Sequence, residues 1–137
     1  MSLIEKIKTA RLELADGFKS DDIVRYQQKL KRANVAPIPL SYAKMLEKIG
    51  AIASEDAFLY GIVNDNNMLF YDIYKRNTEH TGIKQSNLLL LGDNRGEYLC
   101  YSWQDKAYII LSKENFTVIK KIKILEEVVI YFLRDYI

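Results

Sequence analysis

The chain has 137 residues, 49% of them hydrophobic, 12% aromatic and 28% charged, a composition that excludes long disorder and fills one ordinary domain with a core. Twenty Lys and Arg against 18 Asp and Glu leave a net charge of +2, too small to direct the chain to a polyanion by itself. The single cysteine, Cys100, excludes an intramolecular disulfide, Met1 to Lys8 lacks the apolar stretch of a secretory signal, and no run approaches the about 20 apolar residues of a membrane span, so the expectation is a cytoplasmic protein that stays out of membranes.

Leu3, Ile7, Ala10 and Leu14 fall at helical spacing with Lys6, Lys8, Arg11 and Glu13 on much of the other face, predicting an amphipathic helix that ends near Gly17. Ser20 is placed to cap a second helix with Asp21 and Asp22 in its first turn and Lys29, Lys31 and Arg32 in its last, charges that complement the macrodipole. Its stripe is Ile23, Tyr26, Leu30 and Ala33. Pro37 and Pro39 interrupt helix formation, and a third helix is expected from Ser41 to Ile49, with Gly50 ending it in a left-handed conformation.

Ala57 to Val63 reads as a short strand broken by a turn at Asn64-Asp65-Asn66-Asn67, and Met68 to Asn77 fits a helix stripe through Leu69, Phe70, Ile73 and Tyr74. From Asn87 the period changes. Leu88 to Leu91, the turn Gly92-Asp93-Asn94-Arg95-Gly96 and the strand Glu97 to Trp103 make a hairpin, and Gln104-Asp105-Lys106 turns the chain into Ala107 to Leu111. Phe116 to Ile119 adds a further strand. A last helix from about Ile124 directs Leu125, Val128, Val129, Phe132, Leu133 and Tyr136 to the core. There is no internal repeat and no linker composition. The expectation is one α+β domain over residues 1 to 137, a central antiparallel meander flanked by N-terminal helices and a C-terminal helix.

The order of these signals resembles the SUKH superfamily, which includes the fungal cell-wall assembly regulators. The resemblance is carried by Pro39-Leu40-Ser41-Tyr42 through Gly50, by Leu59-Tyr60-Gly61-Ile62, by the hairpin Leu89 to Tyr98 and by a terminal helix ending Tyr131-Phe132-Leu133. It runs from roughly Ser20 to Ile137, with residues 1 to 17 as an additional N-terminal helix. Two departures are Ile49-Gly50 where the family usually has Asn-Gly, and Asn94 and Arg95 in the hairpin turn. The resemblance implies an α+β fold and a role without catalysis: bacterial members are similar to immunity proteins that neutralise a toxin, and fungal members act as regulatory partners.

The residues offer little catalytic chemistry. His80 is the only histidine and lies far from Cys100 in sequence, so no metal set is evident, and Ser102, His80 and Asp105 show no triad motif. Cys100 reads as a buried small hydrophobe. Asp21/Asp22 and Glu126/Glu127 sit at expected helix starts, and neighbours such as Glu55/Asp56 do not face one way on a helix. Gly92 to Gly96 lacks a phosphate-loop ending. The basic runs Lys29-Leu30-Lys31-Arg32 and Lys120-Lys121-Ile122-Lys123 are short and read as solvated faces before nucleic-acid contacts.

Ten tyrosines are the least ordinary feature, since tyrosine is enriched in interfaces. Alternation on Glu97 to Trp103 puts Leu99, Tyr101 and Trp103 on one face and Tyr98, Cys100 and Ser102 on the other, which lets one set be buried and the other presented. The expected role is therefore protein binding, to a cognate toxin or an endogenous regulatory partner, with Tyr60, Asp93, Arg95 and Tyr98 as candidate contact residues. No catalytic, cofactor-binding or metal-ligating residue is assigned, no cofactor is expected, and a homodimer stays open.

Overall fold

The computed structural model describes residues 1–63, 71–80, 82–83 and 87–137. In chain order its elements are α1 (Leu3–Thr9), β1 (Glu13–Asp16), α2 (Ser20–Arg32), α3 (Leu40–Leu46), β2 (Ile49–Ala53), β3 (Phe58–Leu59), α4 (Ile73–Glu79), β4 (Leu88–Asp93), β5 (Glu97–Ser102), β6 (Ala107–Ser112), β7 (Val118–Ile122) and α5 (Leu125–Phe132). The seven strands form one antiparallel sheet in sequence order. This is the expected α+β domain with a central meander and a C-terminal helix, but the meander takes in the N-terminal half as well.

The first correction lies there. The helix expected to run to Gly17 stops at Thr9, and Glu13–Asp16 becomes an edge strand paired with Ile49–Ala53. Leu12 and Leu14 are half-buried while Glu13 is exposed, so a period of two supersedes the helical stripe to which Leu14 was expected to belong. The cap of the first helix is Ser2, whose Oγ accepts the Glu5 N–H at 3.2 Å.

Ser20 does not cap α2. It is the first helical residue, and Lys19 precedes it without a side-chain cap. The charges still follow the dipole, with Asp21 and Asp22 in the first turn and Lys29, Lys31 and Arg32 in the last. Asn34 closes the helix in the left-handed region at φ 58°, which lets the Val35 N–H return to the Leu30 carbonyl at 2.9 Å.

Gly50 is also corrected. Helix α3 ends at Leu46, and Gly50 lies inside β2 without a positive φ. Its lack of a side chain serves close approach instead: a Cβ there would collide with the Asp16 carbonyl oxygen, and one on Gly61 would collide with the Gly50 carbonyl oxygen.

The strand expected across Ala57 to Val63 reduces to Phe58–Leu59 plus a parallel bridge between Gly61 and Asp72. Residues 64 to 70, which carry the expected turn and the first part of the expected Met68 to Asn77 helix, lie outside the described residues. The helix that follows begins at Ile73, where Asp72 caps it by accepting the Lys75 N–H at 3.0 Å.

Helices cover both faces of the central strands. On one face the Tyr108 hydroxyl meets Ser41 of α3 at 2.7 Å and Tyr131 of α5 reaches Glu97 at 2.8 Å. On the other, α4 packs against β4 and β5. Asn77, 1% exposed, donates to the Leu90 carbonyl and accepts from the Leu90 N–H, both at 2.8 Å. That clasp satisfies both backbone groups of a buried residue beside the irregularity in the β4–β5 register. Helix α2 is tied to the start of α4 by Tyr26, whose hydroxyl donates to Asp72 at 2.6 Å and accepts the Tyr74 N–H at 2.7 Å.

Two-sided burial explains the continuous apolar run Leu88 to Leu91 and overturns the expectation that β5 presents one face. Leu99, Cys100, Tyr101 and Ser102 are all buried. Cys100 packs as the small hydrophobe expected of it, and burial pushes its thiol pKa up.

Candidate functional site

The four candidate contact residues, Tyr60, Asp93, Arg95 and Tyr98, converge on one end of the sheet, where the β4–β5 hairpin and the β6–β7 turn lie side by side. The hairpin turn is shorter than Gly92 to Gly96, because β4 runs through Asp93. Asn94 builds the rest. Its Oδ1 accepts the Gly96 and Glu97 N–H groups at 3.1 and 2.9 Å, and its Nδ2 donates to the Glu97 carboxylate at 2.9 Å. The Lys113 N–H then donates to the Gly96 carbonyl at 2.9 Å, locking the two turns together.

Three carboxylates at this end are each held by a tyrosine hydroxyl and a cation. Asp93 accepts the Tyr60 hydroxyl on one oxygen and Lys113 Nζ at 2.9 Å on the other, with Arg76 at 3.9 Å. Glu97 accepts the Tyr131 hydroxyl at 2.8 Å and Arg134 at 3.3 Å. Asp56 accepts the Tyr136 hydroxyl and Arg95 at 2.9 Å. Several tyrosines are thus explained as donors to carboxylates, where a phenylalanine would leave an acceptor unmet.

The electrostatics follow from burial and these partners. Burial, reinforced by the Asp93 charge, pushes the Tyr60 hydroxyl well above its ordinary pKa, so it stays a donor. Burial pushes the Glu97 carboxyl up, but hydrogen bonds from Asn94 and Tyr131 and the charge of Arg134 outweigh it and hold the group below the usual range. Asp56, Arg95, Glu97, Arg134 and Tyr136 also line an open cleft of about 520 Å³.

On the α4 side of the hairpin the surface is aromatic. Tyr98 is half-buried, its hydroxyl 3.2 Å from His80 Nε2, and Phe116 stacks on its ring at a centroid distance of 5.8 Å with 17° between planes. Phe116 has φ 59°, a conformation in which a bulky residue costs about 1–2 kcal/mol relative to glycine, yet it is 48% exposed.

The four candidate contact residues separate in this frame. Tyr60 is 1% exposed and turned onto Asp93, which removes it from the accessible surface. Asp93, its side chain 14% exposed, is a hub for two cations and a hydroxyl. Tyr98 is half-covered by His80 and Phe116. Arg95, its side chain 87% exposed, is the one of the four that stands out into solvent.

Sequence reasoning missed Asp56, Arg76, Lys113, Phe116, Tyr131, Arg134 and Tyr136 as members of this site. Two acids flanking an Asn-Arg-Gly turn were a signal that donors had to be found for Asp93 and Glu97 nearby. His80 is the half-buried cap at the end of α4. Ser102, His80 and Asp105 are not brought together: Ser102 Oγ accepts the Asp105 N–H at the far end of β5 from Tyr98. Among the described residues no group of three His, Cys, Asp or Glu side chains could hold a metal ion, and no helix is long and apolar enough to cross a membrane.

Of the two basic runs, Lys29 lies over the Tyr74 ring at 4.2 Å and Leu30 is core, while Lys121 pairs with Asp105 at 3.2 Å and Lys120 lies over the Tyr131 ring at 4.8 Å. Compared with known proteins, the chain matches no family model, no curated protein and no solved structure.

Proposed function

We propose that this domain is a cytoplasmic protein of the SUKH type that works by contact without catalysis, and that its role is that of an immunity protein covering the working surface of a toxin. The observation that carries the reading is the division of labour at the hairpin end. Asp93, Glu97 and Asp56 are paired within the domain, whereas Arg95, 87% exposed on its one contact to Asp56, and Phe116, stacked on Tyr98 yet 48% exposed, reach into solvent. Pre-organised aromatic and arginine side chains are the usual anchors of a protein interface, because little entropy is lost when they bind.

The test is co-expression with a candidate toxin, sought first in the neighbouring reading frame. Protection by the natural chain, lost with Arg95→Glu and Phe116→Gly while both variants remain folded, is the expected result. Cells that die as fast with the protein as without it, and no complex on mixing, would remove this role. Affinity purification that returns only a housekeeping assembly would replace it with the regulatory role of the fungal proteins.

A further inference from the structure

We infer that Phe116 is the docking point for an arginine side chain of the protein partner, which lies over the open face of the ring and is drawn there by the Glu114 carboxylate. The inference rests on the reading that the domain works by contact, and it adds the chemistry that the partner must bring. A contrast among the aromatic rings at the hairpin end motivates it. Arg76 lies over the Tyr60 ring at 5.2 Å, Lys113 over Tyr98 at 5.2 Å, and Lys120 and Arg134 over Tyr131 at 4.8 and 4.2 Å. These three rings carry cations of their own domain. Phe116, 48% exposed, carries none among the described residues.

Phe116 is unfavourable for the fold in two ways. Its backbone takes the left-handed conformation, φ 59°, where glycine or asparagine would sit without strain, and its side chain leaves apolar surface in water. The turn around it is firmly built. The Phe116 N–H donates to the Ser112 carbonyl and the Ser112 N–H to the Thr117 carbonyl, both at 2.9 Å, and Asn115 Oδ1 accepts the Thr117 N–H and hydroxyl at 3.1 and 2.7 Å. Tyr98 stacks on the ring, and the His80 ring meets it at a steep 71°. A strained residue that persists in an otherwise satisfied turn points to a function, and what this one presents is the face of a ring.

The face of an aromatic ring is its electronegative part, and arginine, planar and weakly hydrated, is the cation best suited to stack on it. The surrounding charges agree. The cations of the turns and helix ends on this side of the sheet are engaged within the domain: Lys75 with Glu79, Arg76 and Lys113 with Asp93, Arg95 with Asp56, and Arg134 with Glu97. Three exposed acids there, Glu55, Glu114 and Asp135, form no ion pair with a described residue. Glu114 stands two residues before Phe116 in the same turn. An acidic partner would find every one of those cations already paired, whereas a basic side chain supplies what this surface lacks.

The probe is a capped peptide alternating arginine with glycine, titrated at low salt into isotope-labelled protein. It is compared with a citrulline peptide, which keeps the planar shape and loses the charge, and with a glutamate peptide. The arginine peptide is expected to shift the resonances of His80, Tyr98 and Phe116, and the ring current of Phe116 to move the peptide's own side-chain protons upfield. Citrulline should bind there about threefold more weakly, and glutamate should leave these resonances unmoved. Phe116→Leu keeps an apolar side chain without the aromatic face and should abolish the preference for arginine over citrulline. Glu114→Gln should weaken the arginine peptide by about two- to fivefold. Both variants are checked for an unchanged melting temperature. Shifts that bypass Phe116, equal binding of arginine and citrulline, or a preference that survives Phe116→Leu would overturn the inference. The same shifts on raising protein concentration alone would overturn it in favour of a second copy. If the arginine peptide is silent while Phe116→Gly still abolishes toxin protection, the partner's chemistry is wrong and the binding role stands. If it binds as expected and no toxin is neutralised, the immunity role falls and this site stands.

Discussion

Asp93 and Arg95 lie two residues apart in one turn, yet their loss should have opposite consequences. In Asp93→Ala the Tyr60 hydroxyl, in a residue 1% exposed, loses its acceptor, which costs about 1–3 kcal/mol. Lys113 and Arg76, their side chains 30% and 29% exposed, lose their shared carboxylate, worth up to about 1 kcal/mol each after solvent screening. Arg76 keeps its place over the Tyr60 ring at 5.2 Å, so its share of the loss is the smaller one. The sum is about 1–5 kcal/mol, a large part of a typical domain's stability at its upper end. With a urea slope of about 2 kcal/mol/M the midpoint should fall by about 0.5–2.5 M, the slope itself unchanged. Asp93→Asn keeps an oxygen for Tyr60 and should lose about 1 kcal/mol. Arg95→Ala should leave the midpoint where it is, because Asp56 keeps the Tyr136 hydroxyl. An Asp93→Ala midpoint equal to that of the natural chain would refute the hub.

Asn77→Ala strands the N–H and C=O of Leu90 in the core and should cost about 3 kcal/mol by the same denaturation measurement. Glu97 has a folded pKa below its unfolded value of about 4.3. Its contribution is therefore complete above that pH and is lost as pH falls toward the folded value, so Glu97→Gln should flatten the melting temperature against pH below about 4.3. Phe116→Gly exchanges a strained backbone for an unstrained one and should melt no lower than the natural chain, with any loss confined to binding. Cys100, 0% exposed with its thiol pKa raised, should react with a thiol reagent only as fast as the domain unfolds.

What was legible in the sequence is what neighbouring residues decide. The β4–β5 hairpin, the β5–β6 turn and α5 were read from turn chemistry and periodicity alone, each within a window of a few residues. Strand β1 was not, because Leu14 also continues the helical stripe of Leu3, Ile7 and Ala10, and only the distant partner Ile49–Ala53 decides for the strand. Gly50 was misread for the same reason: at the end of a helical stripe glycine suggests a cap, and nothing local announces that the Asp16 carbonyl presses against it. The site divides along the same line. Asp93, Arg95 and Tyr98 were visible through the turn, whereas the Tyr136 to Asp56 hydrogen bond spans 80 residues and leaves no local trace.

The arrangement at the hairpin end also shows why stability and recognition need not compete there. A charge that both holds the fold and meets a partner must give up one set of contacts to gain the other, and burying it on binding leaves groups unpaired. Here the carboxylates face inward to tyrosines and cations of their own domain, and Tyr60 is wholly committed to that network. The outward positions fall to Arg95, whose partner Asp56 has a second donor, and to Phe116, whose backbone would relax without its side chain. Both can be reshaped to suit a partner at little cost to the fold, while Asp93 and Glu97 cannot. Variation among proteins that share this architecture should therefore concentrate at the positions of Arg95 and Phe116, and a family that held those fixed while varying Asp93 and Glu97 would place the interface elsewhere.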